Sequence, residues 1–398
     1  MHATDILDTC LTGLCQTMHA ARYTAVKVAV ESALAQRCVT VTALGRGIIG
    51  EVGEKHCIKR MDRLAGNEHL RQQVSVAYQD MAEWILGGTV RPLILVDWSP
   101  LSPDERFHLL RASVPVGGRA LAIYEEVHER NCLGSRSVQT EFLATLASLL
   151  PPHCEPILVT DAGFKNPWFR AVEALGWDWI GRIRGTVQIT RPDEEFWVRC
   201  TRVANVLKTG KPTYLGAFLV ARSNPIECAV YGLRKPPKGR RKNTRHGHKA
   251  ESKHSKTNAA REREPWLIVT SLPGGKTETK KVLAAYRKRM AIEENFRDTK
   301  SEYYGMGLDR SRSRSAERYS VLLLINALAL FTAWLHGKVA QTKNLHWRYQ
   351  ANTVKSRSVL SSVFLGLRVI RRGELDLTSR LLAQLRSSLC EPEFGATA

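Results

Sequence analysis

The stretch LILVDW (residues 93–98) is a continuous apolar run that ends in Asp97 and a tryptophan. Such a run, without alternation of polar and apolar residues, predicts a strand buried on both faces of a sheet. A second run of the same kind, PILVTDAGF (156–164), carries Asp161 at its end. In open α/β sheets, binding sites form at the carboxyl ends of strands, so both aspartates are candidate site residues.

The patterns between and after these two runs predict a mixed α/β sheet. FHLLRASVPV (107–116) and RALAIYEEV (119–127) predict strands, and residues 138–150 predict a helix. A further helix precedes the strand pattern WDWIGRIRG (177–185). Three strands followed by strand–helix units make residues 90–185 the first part of an α/β core.

Residues 186–273 predict a β-rich insertion. The segments WVRC, TYLGAFLV and IECAVYGL are strand candidates separated by Gly, Pro and Asn. Residues 234–263 are dense in Lys and Arg and contain no large apolar side chain. Such a segment cannot contribute to a core and predicts a mobile basic loop. The chain returns to a strand pattern in EPWLIVTSLP (264–273).

The N-terminal region, residues 1–75, indicates a helical domain that binds DNA. Its stretch 38–67 indicates a short helix, a Gly-containing turn and a second, basic helix, as in a helix-turn-helix that enters the major groove. An ordinary helical hairpin with a basic face is the competing interpretation. The basic cluster consists of Lys55, His56, Lys59, Arg60 and Arg63.

Residues 274–340 predict the second part of the core, and residues 341–398 a helical C-terminal region. The run VLLLINALALFTAWL (321–335) is short for a membrane span and contains an asparagine, so a buried helix is expected.

Composition narrows the class of partner. The formal net charge is +21 in 398 residues, which indicates a polyanion, and nucleic acid first among polyanions. No amphipathic basic terminus supports the alternative of an anionic membrane surface. Nine irregularly spaced cysteines without a C-x-x-C pair favour reduced thiols in the cytoplasm over disulfides or a zinc ribbon. No signal-peptide pattern is present at the N-terminus.

The stretch AAYRKRMAIEENFRDTK (284–300) predicts one continuous helix, because it is rich in helix formers and lacks Gly and Pro. At 100° per residue, its inward arc holds three apolar residues and four polar ones. These are Leu283, Met290 and Phe296, with Tyr286, Arg289, Glu293 and Lys300. The opposite, solvated arc holds Glu294, Asn295 and Asp298.

An ordinary ion pair between Arg289 and Glu293, four residues apart, is the simplest explanation of this inward stripe. Four polar groups among apolar neighbours favour a site instead, because buried charges need partners or a metal ion. Asp97, Asp161 and Glu293 are then a candidate set of three carboxylates. Hard oxygen ligands of this kind suit Mg²⁺ or Mn²⁺, and two such ions promote phosphodiester displacement.

The spacing Y-(2)-R-(3)-E-(6)-K from Tyr286 to Lys300 matches the YREK signature of bacterial insertion-sequence transposases of the DDE class. VDWS around Asp97 and DAGFK around Asp161 match the two aspartate motifs of that family. The chain resembles the cut-and-paste transposases of composite resistance transposons. The resemblance extends to KHCIKRMDRLAGN near the N-terminus and ANTVKSRSVLS near the C-terminus.

This resemblance implies an RNase H-like catalytic core with a β-rich insertion, flanked by helical N- and C-terminal regions. It implies that Asp97, Asp161 and Glu293 are catalytic and hold two Mg²⁺ or Mn²⁺ ions per active site. The DNA contacts that follow from it and from the basic cluster are Tyr286, Arg289, Lys300, Lys165, Trp266, Lys55, Lys59, Arg60 and Arg63. Trp266 would stack on a flipped base, although a core tryptophan on a strand is the alternative.

The function implied is that of a cytoplasmic, nucleoid-associated transposase with no membrane partner. It would bind inverted-repeat ends as a homodimer, cleave them through a hairpin and join the 3′ ends to target DNA. Two alternatives stay open: a non-catalytic DNA-binding protein derived from a transposase, and a metal-dependent DNA nuclease without strand transfer.

Overall fold

The structure, a computed structural model, confirms the mixed α/β class. It describes residues 4–102, 104–236, 251–252, 255–256 and 264–388. Most of the predicted basic loop 234–263 therefore lies outside the described residues. The chain divides into two compact units, of which the first comprises Met1–Pro156 and Met290–Ala398 and the second Ile157–Arg289. The functional boundaries predicted at residues 75, 185, 273 and 340 stay predictions.

The first unit contains a three-stranded antiparallel sheet in the order β3-β2-β1. Its strands are β1 (Leu93–Pro100), β2 (Phe107–Pro115) and β3 (Ala120–Glu129). Seven helices precede the sheet: α1 (Asp5–Cys10), α2 (Thr12–Thr17), α3 (Ala20–Gln36), α4 (Val41–Arg46), α5 (Glu54–Ala65), α6 (Glu68–Gln72) and α7 (Val74–Leu86). The strands are followed by α8 (Arg136–Leu149). Later in the chain the same unit gains α12 (Met290–Lys300), α13 (Ala316–Thr342), α14 (Ser362–Arg372) and α15 (Ser379–Ser388).

Helix α13 is the centre of the first unit. It packs against β3, α3, α5 and α14, and nearly all of its side chains are buried. It is the one helix in the described part of the chain that is long and apolar enough to cross a membrane, but 94% of its most apolar window is buried inside the protein. The predicted buried helix is thus confirmed. Gly366 of α14 permits its close approach, because a Cβ there would lie 1.7 Å from the carbonyl oxygen of Ala333.

The predicted helix–turn–helix arrangement near the N-terminus is present as α4 and α5. Thr40 caps α4 by accepting a hydrogen bond from the amide of Ala43 at 3.3 Å. Gly45 lets the two helices cross closely, since a Cβ at this position would lie 2.4 Å from the Cα of Ile58. Cys57, Met61 and Leu64 form the buried face of α5, which leaves the other face to solvent.

The second unit is a seven-stranded mixed sheet in the order β4-β5-β10-β9-β8-β6-β7. Only β4 and β5 are parallel within it, and the other described pairs are antiparallel. The strands are β4 (Ile157–Thr160), β5 (Asp178–Ile183), β6 (Gln188–Thr190), β7 (Val198–Arg199), β8 (Thr213–Val220), β9 (Ile226–Leu233) and β10 (Trp266–Thr270). The helices are α9 (Asn166–Ala174), α10 (Cys200–Val203) and α11 (Thr279–Lys288). The strand predictions for the insertion are confirmed.

Two predictions of local structure are wrong. Asp97 does not close its strand, because β1 continues to Pro100 along its pairing with β2. The predicted continuous helix 284–300 is interrupted at Arg289, whose amide donates to the carbonyl of Tyr286 at 3.1 Å. This tighter i→i−3 bond marks the end of α11, and α12 begins at Met290.

Candidate active site

Asp97 lies on the face of the first unit's sheet that α12 covers. It is directly opposite Arg111 in the β1–β2 ladder, and opposite residues share one face of a sheet. Arg111 donates to Asn295 at 2.7 Å and to Thr299 at 3.0 Å, and both of these residues are on α12. The carboxylate of Asp97 is nearly buried and accepts a hydrogen bond from the amide of Trp98 at 2.8 Å.

Arg111 is the residue of this site that sequence reasoning missed. It is fully buried and forms a salt bridge of 2.5 Å with Glu125 on β3. Tyr78 donates to the other oxygen of Glu125 at 2.6 Å, and burial keeps the pKa of Tyr78 well above its usual value. The available signal was an arginine inside the apolar strand pattern 107–116. Its paired and hydrogen-bonded state explains how a buried charge is tolerated behind Asp97.

Glu293 and Lys300 line one cleft of about 670 Å³ at the end of β1. Lys300 donates to the hydroxyl of Ser99 at 2.8 Å and to the carbonyl of Pro100 at 3.1 Å. Ser99 also lines the cleft and follows Asp97 by two residues, so the two side chains point to the same face of the strand. The structure thus brings Asp97, Glu293 and Lys300 to one region of the first unit.

Burial has the largest effect on the pKa of Lys300 and lowers it from the usual value. The nearby Arg111 lowers the pKa further, whereas Asp309 and Glu293 act in the opposite direction. Lys300 is therefore a partly desolvated ammonium group, and this desolvation strengthens its electrostatic interactions with charged groups in the cleft.

The wheel prediction for α12 is wrong at several positions. Glu293 and Met290 are exposed, whereas Asn295 and Asp298 are buried. The physical reason lies in partners on the sheet, because Arg111 binds Asn295 and Arg119 lies 3.5 Å from Asp298. Phe296 is buried as predicted.

Glu294 does not lie on a plain solvated face either. It accepts a bond of 2.6 Å from Arg119 and is paired with Arg297. Burial raises the pKa of its neighbour Asp298 to about 6, although Arg119 and Arg297 oppose this shift. Glu294 and Asp298 therefore act with Arg119 in fastening α12 to the sheet, and Glu294 is not among the residues that line the Glu293 cleft.

Asp161 belongs to the second unit and directly follows β4, as predicted. Its carboxylate accepts the amide of Gly163 at 2.6 Å, which forms a tight turn before α9. Lys165 ends this turn and lines a cleft of about 620 Å³ together with Arg182 and Arg184. Arg182 and Arg184 were not predicted as site residues, although the pattern RIR at the end of a strand could have indicated them.

Trp266, Tyr286 and Lys235 form a cluster in the second unit. The Trp266 and Tyr286 rings meet edge to face at 5.2 Å, and the Lys235 ammonium lies 3.2 Å from the centre of the Trp266 ring. Tyr286 is buried, whereas Trp266 and Arg289 are half-buried. Trp266 is therefore not a fully buried core residue, and its predicted role in base stacking stays a prediction.

The basic cluster near the N-terminus is presented to solvent by α5. Lys55, Lys59, Arg60 and Arg63 are all exposed, as is His56. Their carbon chains extend from the side of the helix opposite its buried residues. These five exposed side chains form a basic cluster on α5, the second helix of the predicted helix-turn-helix.

A family model described as a transposase DDE domain matches residues 91–332. The chain belongs to the DDE transposase family. The match covers more than half of the chain and includes Asp97, Asp161 and Glu293. Among curated proteins, none matches the chain at a significant level. Membership of the family implies DNA as the partner of this transposase and a divalent metal ion as its cofactor.

The donor chemistry of the transposase fits such an ion only in part. Asp97 and Glu293 offer hard carboxylate oxygens, which is the ligand type that Mg²⁺ and Mn²⁺ prefer. Within the described ranges, however, no group of three or more His, Cys, Asp or Glu side chains is placed to hold a metal ion. The roles of Asp97, Asp161 and Glu293 as a complete ligand set therefore belong to the proposal below.

Proposed function

We propose that the chain is a cut-and-paste transposase that binds the inverted-repeat ends of its element, cleaves them and joins their 3′ ends to target DNA. The observation that carries this proposal is the DDE-domain match over residues 91–332, which holds both aspartate motifs and the YREK spacing. The proposal includes an RNase H-like core, a resistance-transposon type of element and a homodimer on the DNA. In this proposal the transposase acts in the cytoplasm, in association with the nucleoid.

In this proposal Asp97, Asp161 and Glu293 hold the metal ions, two per active site. Bound there, a divalent ion supplies Lewis acidity that lowers the pKa of an attacking water and neutralises charge on the leaving oxygen. Mg²⁺ is the first choice and Mn²⁺ the second. The buried Arg111 stands directly opposite Asp97 in the β1–β2 ladder and fastens this part of the sheet to α12 through Asn295 and Thr299.

The chain's own basic groups orient the DNA. Lys300, held by Ser99, places an ammonium group beside Glu293 and attracts the phosphate that is cut. Tyr286 and Arg289 contact phosphates near the same cut, and Lys165 contacts the strand near Asp161. The exposed basic face of α5, with Lys55, Lys59, Arg60 and Arg63, recognises the inverted repeat in the major groove.

A hairpin route is the finer part of the proposal. After water cuts one strand, the free 3′-hydroxyl attacks a phosphodiester of the opposite strand and closes a hairpin. The flanking DNA leaves with its own 3′-hydroxyl, and water then hydrolyses the hairpin phosphodiester. Such a sharp fold is easier when a base leaves the stack and rests on an aromatic ring. In this proposal the base rests on Trp266, which is half-buried and contacts Tyr286 and Lys235.

Two other functions remain as alternatives. A non-catalytic DNA-binding protein would keep the basic face of α5 but would have no use for Lys300 beside Glu293. A metal-dependent nuclease would cleave DNA without joining it to a target.

Incubation of the full chain with Mg²⁺ and a duplex that carries the inverted repeat flanking its own element separates the three functions. The transposase should yield nicks, then hairpins, and finally products joined to supercoiled target DNA. Nicks without joined products would indicate the nuclease. Specific binding without any cleavage, in Mg²⁺ or in Mn²⁺, would indicate the non-catalytic protein.

A further inference from the structure

The rim of the Glu293 cleft carries two adjacent exposed aromatic side chains. Tyr303 and Tyr304 are 79% and 62% exposed, and Tyr303 lines the cleft together with Glu293 and Lys300. The transposase chemistry proposed above uses neither of them. Large aromatic rings left in water next to a functional cleft are candidates for contact with a partner.

The geometry points to a stacking platform, and we propose that Tyr303 and Tyr304 receive an unpaired nucleobase of the DNA strand that enters the cleft. This inference rests on the proposed function, because it takes DNA as the molecule bound beside Glu293. It adds to that function a base contact in the first unit, separate from the one proposed for Trp266.

The two rings are held in a fixed arrangement. They meet edge to face at 4.8 Å, and the Arg297 guanidinium lies 5.5 Å from the centre of the Tyr304 ring. The amide of Tyr304 donates to the hydroxyl of Ser301 at 3.1 Å. Restraint of this kind lowers the entropy that a ring loses when a base stacks on it.

The backbone after the pair is anchored firmly to the protein core. Met306 and Leu308 are fully buried, and the amide of Met306 donates to the carbonyl of Asp298 at 2.8 Å. Gly305 passes so close to α12 that a Cβ there would lie 2.1 Å from the carbonyl oxygen of Asp298. The tyrosines therefore stand on a tight turn fixed to the helix that carries Glu293.

The charges of the cleft favour a base over a purely electrostatic contact. Its lining includes three basic side chains and three carboxylates, Arg297, Lys300, Arg310, Glu293, Glu302 and Asp309. Glu302 is paired with Arg310 at 2.9 Å, and the three basic side chains and three carboxylates of the lining balance in formal charge. Phosphate attraction alone is then modest here, and the aromatic faces supply the additional contact that single-stranded nucleic acid uses.

The platform is tested with the full chain in EDTA and two oligonucleotide probes. One is a duplex with a short unpaired segment that contains 2-aminopurine, and the other is the same duplex fully paired. The wild type should quench the 2-aminopurine fluorescence and bind the unpaired probe about tenfold more tightly than the paired one. Tyr303→Ala should lose both effects, and Tyr304→Ala should weaken them.

Tyr303→Phe should retain quenching and preference, because stacking needs the ring and not the hydroxyl. Phe196→Ala is the matched control, since Phe196 is 84% exposed but does not line this cleft, and it should behave like the wild type. Thermal unfolding of each variant verifies that the fold is intact.

Three results with Tyr303→Ala would overturn the platform. The variant could keep the preference for the unpaired probe, or lose affinity for both probes equally. It could also sediment differently from the wild type without DNA, which would make the tyrosine pair a contact between protein copies. Two results with the wild type are also decisive. If the wild type bound both probes without preference, the platform alone would fail. If the wild type bound neither probe, the proposed function would fail with it.

Discussion

Lys300, the last residue of α12, donates a hydrogen bond of 2.8 Å to Ser99 on β1, two residues after Asp97. This bond ties the end of the helix that carries Glu293 to the strand that carries Asp97. Asp97 and Glu293 are far apart in the sequence. The Lys300 ammonium group connects the strand that carries Asp97 to the helix that carries Glu293.

The first prediction concerns this cation. Lys300→Met should reduce DNA cleavage by about 10²-fold, because a preorganised charge beside the reacting phosphate is removed. Ser99→Ala should have a smaller effect, since Lys300 keeps its bond to the Pro100 carbonyl. Single-turnover cleavage of end DNA measures both. Equal activity of Lys300→Met and wild type would remove Lys300 from the site.

The second prediction concerns the three carboxylates. Asp97→Asn, Asp161→Asn and Glu293→Gln should each abolish cleavage but retain DNA binding, because phosphate contacts supply most of the affinity. Glu294→Gln is the control. It weakens a surface pairing with Arg119 and should cost at most about 1 kcal/mol of stability while cleavage continues. Loss of cleavage in Glu294→Gln alone would reverse the assignment.

A third prediction addresses the basic face of α5. The double variant Lys59→Ala and Arg60→Ala should bind the inverted repeat more weakly. The slope of log binding constant against log salt concentration should also become shallower, by about 0.9 for each phosphate that is no longer neutralised. Lys343→Ala with Arg380→Ala removes the same charge from exposed positions elsewhere and is the matched control. Filter binding over a salt series gives the slopes. Identical slopes for the two double variants would refute a specific role for α5.

Trp266 is the subject of the fourth prediction. Trp266→Ala should leave the first nick unchanged, because no base needs to leave the duplex at that step. Hairpin formation should slow, since stacking worth roughly 1–3 kcal/mol per base is removed. An abasic nucleotide at the flipped position should partly restore the variant, because extrusion then costs less. If nicking and hairpin formation fell equally, Trp266 would be a structural residue.

The fifth prediction is a pH dependence of stability caused by Asp298. Its pKa in the folded protein is raised to about 6 by burial, from a usual value of 3.8. Between these values the folded chain binds more protons than the unfolded chain, so stability falls as the pH rises through this window. Each unit of pKa shift corresponds to about 1.4 kcal/mol of free energy lost when buried Asp298 is ionised. Asparagine carries no charge, so Asp298→Asn should be more stable than wild type at neutral pH by up to about 3 kcal/mol.

At about pH 3 and below the two proteins should have similar free energies of unfolding, since Asp298 is then largely protonated in both the folded and the unfolded state. Urea unfolding at several pH values measures the difference. A variant less stable than wild type at neutral pH would mean that the ion pair with Arg119 outweighs the cost of burial.

Much of the fold followed from local pattern. Continuous apolar runs predicted β1 and β4, and TYLGAFLV became β8 with the same bounds. The buried α13 and the α4–α5 pair were also foreseeable, because periodicity and glycine positions are local properties.

The interior of the site was not foreseeable in the same way. The burial of Asn295 and Asp298 depends on Arg111 and Arg119, which are remote in sequence and meet α12 only through the fold. Sequence pattern identified Glu293 and Lys300, but not the contacts that position them.

Helix α13 has a consequence for the order in which the protein can be made. The early helices α3 and α5 pack against a surface that is synthesised only when residues 316–342 have left the ribosome. Until then the faces of α3 and α5 that pack against α13 have no lasting cover, so this part of the nascent chain cannot complete its packing. A transcript cut short before residue 316 would therefore yield a chain whose N-terminal helices never gain that cover.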